Sequence, residues 1–201
     1  MDSKSLKREL SDLLYDSCVN YLEQFSSDFN TEKVYAFCIF CSDACRNIAL
    51  AISTRESLAR RKNKGVGNEP ENFYEVNASE WEYVNKHYEL FDKVDELIDS
   101  LYNEFYDGEL DDVDLDQFDD DQLWEFISNF FNEVIVRTLK RLKESGVLDD
   151  ETFEKDVLLG IQFGDPDESG VKMIENVSSQ VNSEYWHCKI KDNCDYLLSL
   201  S

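Results

Sequence analysis

Two prolines and seven glycines in 201 residues leave few positions where regular structure must break. That scarcity favours long elements, chiefly helices. Histidine occurs only as His87 and His187, so a nucleophile triad has two candidate bases at most. No Gly-x-Ser-x-Gly elbow accompanies them. His87 is expected at a surface or helix cap, and His187, between Trp186 and Cys188, in half-buried packing. No run approaches the eighteen uninterrupted apolar residues of a membrane span. Met1-Asp2-Ser3-Lys4 leads directly into an amphipathic pattern with no signal-peptide-like apolar stretch, so the expected location is the cytoplasm.

Cysteine is also sparse. Six residues are too few for a disulfide scaffold in a chain of this length. Cys38 and Cys41 have CxxC spacing, with Cys45 close behind, but residues three apart in a strand face opposite sides. Tetrahedral zinc needs a second ligand pair, and His187-Cys188 with Cys194 lacks finger spacing. Buried reduced thiols are expected, with no metal or other cofactor.

Cations are the most telling shortage. Twenty Lys and Arg face 44 Asp and Glu, for a formal charge of -24. Residues 1–64 are near neutral, with ten cations and nine acids, so nearly all the excess lies in residues 65–201. Asp107 to Asp121 holds nine carboxylates and no cation. Such a field repels nucleic acid and anionic membranes and attracts a basic protein partner. The chain is nevertheless 42 % hydrophobic and 13 % aromatic, too apolar for disorder.

The apolar spacing predicts the elements. Leu6, Leu10, Leu14, Cys18, Tyr21, Leu22 and Phe25 form one stripe of a helix over residues 4–26. Val34 to Cys41, apolar on both faces, reads as a central strand, and Ile48 to Ile52 as its hairpin partner after a turn at Asp43-Ala-Cys45. Thr54 caps a short helix to Lys62, and a loop over residues 63–70 follows. Phe73 to Val76 is expected as a short strand, with Trp81 in a helical turn capped by Asn77 or Ser79. Tyr88 to Phe105 and Leu123 to Leu142 define long helices, the second with Asp119, Asp120 and Asp121 at its positive end and Gly146 at C′. Val157 to Phe163 reads as a strand stopped by Gly164-Asp-Pro166. Ile174, Val177 and Val181 mark a further helix, and Trp186 and Tyr196 a last one. The expected fold is α+β: one domain over residues 1–201, with a small, mostly antiparallel sheet against several long amphipathic helices and an acidic loop at 107–121.

Each candidate site has a plainer structural reading. Glu80, Glu82 and Glu184 have no spacing that separates an acid/base pair from a solvated face. An EF-hand register starting at Asp112 puts Gln117 where glycine is needed and Leu123 where the bidentate glutamate belongs. Gly65-Val-Gly67 is no phosphate loop. Arg55, Arg60, Arg61, Lys62 and Lys64 are expected to be solvated or to pair with the acidic half. The acidic loop reads either as a solvated loop or as a docking surface, with Leu110, Val113, Leu115 and Phe118 as apolar anchors among the carboxylates. On the second reading the contact residues are Asp111, Asp112, Asp114, Asp116, Phe118, Asp119, Asp120 and Asp121, with Trp81 beside them.

The order of elements, with Val34-Tyr-Ala-Phe-Cys-Ile-Phe, Ile48 to Glu56, Phe73-Tyr74-Glu75, Ala78 to Tyr83 and Leu158 to Asp165, resembles the bacterial family domain of unknown function 4303. In that family a strand ending in Asn-Thr-Glu precedes a helix, and a Glu-Trp step follows the loop. Here Ser53-Thr54-Arg55-Glu56 departs from the first motif, and Glu80-Trp81 matches the second. The resemblance brings no catalytic residues. It implies a small cytoplasmic protein akin to immunity proteins encoded beside bacterial toxins. The expected function is therefore binding: an immunity protein, not an enzyme, that neutralises a basic, nuclease-type toxin C-terminal domain. A housekeeping module or an enzyme of unrecognised type is the alternative.

Overall fold

The computed structural model describes residues 2–65, 69–107 and 110–200. Helix α1 (Ser3–Asp28) starts where the Asp2 side chain accepts the Ser5 N–H, and its stripe from Leu6 to Phe25 is fully buried. Each such side chain contributes about 1.5–3 kcal/mol by leaving water. Strand β1 (Val34–Cys41) follows, with Val34 through Ile39 inaccessible on both faces. It is buried because it is internal. In the sheet order β3 (Tyr83–Val84), β2 (Ile48–Thr54), β1, β4 (Phe153–Phe163), β2 runs antiparallel on one side of β1 and β4 parallel on the other. The β1–β2 turn at Asp43–Cys45 places Ala44 and Cys45 in left-handed backbone, and the Tyr102 hydroxyl donates to the Ala44 carbonyl.

Helix α2 (Arg55–Asn63) has a reciprocal cap, with Thr54 and Ser57 each accepting the other's N–H at 3.0 Å. Three later elements differ in detail from the sequence pattern. Phe73–Val76 is not a strand but one helical turn, α3. Tyr74, Glu75 and Val76 are all buried, and a strand would have turned Glu75 away from its neighbours. The remaining strand is the two-residue β3 (Tyr83–Val84), paired to Ile52 and Ala51. Strand β4 starts four residues before Val157, at Phe153 opposite Val34, because a register shift lets the polar residues 154–156 bulge outward.

Helix α4 (Asp92–Asp107) is preceded by a 3₁₀ turn at Tyr88–Phe91, with His87 left-handed before it. Helix α5 (Asp120–Glu144) is followed by Gly146 at φ 79°, which satisfies the left-handed C′ position. Asp119 caps α5 by accepting the Gln122 N–H at 2.8 Å, and Gln122 returns a bond to the Asp119 N–H. Asp119→Ala is expected to cost about 1 kcal/mol in chemical denaturation. An unchanged midpoint would contradict the capping role.

Helix α6 (Glu168–Val181) packs against β4 and α5, and α7 (Glu184–Leu198) against α6 and α3. Helix α1 lies along α5 and α4. The architecture is α+β, with a mostly antiparallel four-stranded sheet and helices around it. Among the described residues no helix is long and apolar enough to cross a membrane. Cys18, Cys38, Cys41, Cys45 and Cys194 are buried free thiols, and Cys188 is exposed. Burial pushes the Cys18 and Cys38 thiols well up, which keeps them protonated.

Candidate functional site

The cations of α2 come first, because their fate sets the surface field. Arg55 makes a bidentate pair with Glu154, both contacts at 2.8 Å, and donates to Glu75 at 3.0 Å. Lys189 reaches the other Glu75 oxygen at 2.5 Å. The Arg55 guanidinium lies 4.2 Å from the Tyr35 ring centroid, and Tyr35 stacks on the fully buried Trp186. Arg60 bridges Glu32 and Glu82 at 2.8 and 2.9 Å, and Arg61 holds Glu80 at 2.9 Å over the Tyr74 ring. Lys62 and Lys64 remain exposed. Burial alone would raise the Glu75 carboxyl, but hydrogen bonds from Lys189 and Arg55 outweigh it and hold the group below the usual glutamate range. The same balance, through Thr54, Tyr83 and Arg60, holds Glu32 low.

The expected loop over 107–121 is shorter in the structure, because Asp107 ends α4 and Asp120 and Asp121 form the first turn of α5, and the acids of this segment behave differently from the α2 cations. Asp111, Asp112, Asp114, Asp116, Asp119, Asp120 and Asp121 are all exposed. Asp112 and Asp114 have local work, as the Asp119 cap does. Asp112 accepts the Ser3 N–H and hydroxyl at 2.8 and 2.6 Å, which ties the start of α1 to this segment and lowers the Asp112 pKa. Asp114 accepts from the Gln117 side chain. A 3₁₀ turn at Leu115–Gln117 shapes the segment, so it is folded and not a simple solvated run. Gly108 and Glu109 lie outside the described residues.

Beside this acidic face, the ends of β1 and β4 open a narrow cleft of about 60 Å³. Its walls are Ile127 and Phe131 of α5, Met173 and Gly170 of α6, Phe163 at the end of β4, and Ala44 and Cys45 of the β1–β2 turn. Trp124, 38 % exposed, forms the lip, and the exposed Asp165 and Asp167 stand at the mouth. Asp120 and Asp121 lie one turn before Trp124 on α5. Tyr106, also exposed, receives a hydrogen bond from Arg46, which stacks 4.1 Å from the Tyr102 ring centroid.

The family model described as domain of unknown function, DUF4303, matches residues 14–179. The chain belongs to the DUF4303 family. No curated protein and no solved structure matches it. The DUF4303 match spans the sheet, the α2 cations with Glu75, Glu80 and Glu154, and every wall of the cleft. Helix α7, which brings Trp186 and Lys189 to the network, lies beyond it.

Within this DUF4303 fold the residues singled out from sequence separate. The aspartates of 111–121 all lie on the surface. The apolar residues among them do not point outward. Leu110 and Leu115 are core residues at 7 % and 5 % exposure, and Val113 and Phe118 pack on the core, Phe118 edge-on to Phe126. They hold the segment down, because a short connection between two packed helices closes over the core it crosses. Trp81 is likewise a core residue, 7 % exposed. The exposed tryptophan is Trp124, which sequence reasoning passed over. Its signal was position: the buried Ile127 and Phe131 follow it at i+3 and i+7 on α5, and an acidic first turn precedes it.

Proposed function

We propose that this chain is a cytoplasmic immunity protein that binds and neutralises a basic, nuclease-type bacterial toxin domain. The observation that supports this reading is the asymmetric use of charge. The three arginines of α2 are consumed by internal ion pairs, while the aspartates of 111–121 face solvent. The net charge of -24 is therefore presented outward, where it steers a basic cleft onto the surface. Fast electrostatic capture suits an antidote that must act before its toxin does.

Binding is proposed over catalysis because the most enclosed carboxylate among the described residues, Glu75, is held ionised between two cations. A general base or acid needs a pKa near the working pH. The test is co-expression with the protein encoded immediately upstream, followed by pull-down and growth measurement. Co-purification with restored growth is expected. No capture, with growth still arrested or never affected, would overturn the reading.

A further inference from the structure

Strands β1 and β4 are parallel and end together at Cys41 and Phe163, and the chain then diverges toward β2 and α6. Divergence at the carboxyl ends of parallel strands leaves a crevice, a common position for binding. Here it is apolar, it opens to solvent past an exposed tryptophan, and its mouth carries Asp165 and Asp167 with Asp120 and Asp121 one turn from the lip. Along the α5–α6 interface it runs into a second, polar recess that shares Ser128, Ser169 and Met173 with it. Asn132 on that recess has a buried Oδ1 with no hydrogen-bond partner, an acceptor awaiting a donor. The cations nearby are already engaged: Lys172 pairs with Glu168 at 2.5 Å, and Arg46 is stacked on Tyr102.

We propose that this groove is the anchor socket of the interface: it takes one aliphatic or aromatic side chain from a basic segment of the partner protein, while flanking lysine or arginine side chains meet the four aspartates. The inference deepens the function proposed above and rests on it. The apolar contribution moves from the acidic loop, whose leucines are turned inward, to a concave site. Charge complementarity selects the occupant. An uncharged apolar ligand would make no use of the acidic mouth, and a basic segment without an anchor would leave the apolar walls in water. An apolar anchor in a desolvated pocket surrounded by polar contacts is the usual form of an interface hot spot.

Two fluorescein-labelled pentapeptides separate the outcomes: acetyl-Lys-Lys-Leu-Lys-Lys-amide and the same peptide with serine at its centre. Their binding to the full chain is followed by fluorescence anisotropy at low ionic strength. The leucine peptide is expected to bind about tenfold tighter, part of the value of burying one leucine being offset by ordering. Ser128→Trp, which fills the groove, is expected to erase the ratio and leave the serine peptide's affinity unchanged. Trp124→Ala, at the exposed lip, is expected to reduce the ratio. Equal affinities for the two peptides, or a ratio that survives both substitutions, would overturn the socket and leave electrostatic capture standing. Failure of both peptides to bind would overturn the socket and the acidic-capture reading together.

Discussion

Changing Asp111, Asp114, Asp116 and Asp121 together to asparagine is expected to slow association with a basic partner by about ten- to a hundredfold at low ionic strength. These four are exposed, and three of the acidic cluster's neighbours in function are left intact: Asp112, which holds the start of α1, Asp119, which caps α5, and Asp120 beside the cleft. Dissociation should quicken far less, by the loss of the one contact Asp121 makes beside the cleft, because steering acts before contact and anchors act after it. Salt should mimic the substitution. At about 0.5 M ionic strength, where screening reaches only a few ångströms, wild type and variant should associate at similar rates. Stopped-flow mixing at two salt concentrations reads both effects. The variant should melt close to wild type, since relief of self-repulsion in a chain of -24 offsets the weakened Gln117–Asp114 hydrogen bond. An unchanged association rate at low salt would remove the loop from the interface.

The second large effect is internal. Glu75→Ala is expected to cost about 2 kcal/mol, a loss of about 4–8 °C in Tm for a chain of this size. Glu75 satisfies Arg55 and Lys189 at once, and its side chain is only 11 % exposed. Removing one partner from a fully buried pair costs about 3–5 kcal/mol, and the figure is discounted here because Arg55 is 37 % exposed and keeps Glu154. The pH dependence has a definite sign. Glu75 is held below its ordinary value of 4.5, so its contribution is fully present above that pH and disappears as pH falls through the lower, folded value. The stability curves of wild type and Glu75→Ala should therefore converge below about pH 4.5. Denaturant titrations at pH 7 and pH 3.5 test this. A constant gap between the two curves would show that Glu75 acts through packing and not through its charge.

The periodicity of the chain carried most of its architecture. Helix α1, strands β1 and β2, the Thr54 cap and the Gly146 stop all follow local rules: a 3.6-residue stripe, a doubly apolar strand, a side-chain acceptor, a left-handed glycine. Where the pattern misled, tertiary partners outweighed it. Glu75 in a four-residue apolar run has the look of a strand's polar face, but it is drawn inward by Arg55 and by Lys189 from 114 residues away. The bulge that lengthens β4 was hidden by solvent-facing polar residues. The site was less legible than the fold. A charge run is visible in one dimension, so the aspartates of 111–121 were found. A cleft built from α5, α6, the end of β4 and the β1–β2 turn exists only after packing, and Trp124 acquires its meaning there. Leu115 and Phe118 showed the converse: apolar residues inside an acidic run are as consistent with an inward anchor as with an outward one, and sequence carries no sign to separate them.

The most direct measurement is the association rate between this chain and the purified domain encoded immediately upstream, taken as a function of ionic strength. The account expects a fast rate at low salt that falls steeply as salt rises, with the toxin's activity lost in the complex. Absence of binding, or an association rate indifferent to salt, would contradict the claim that the exposed carboxylates recruit a basic partner.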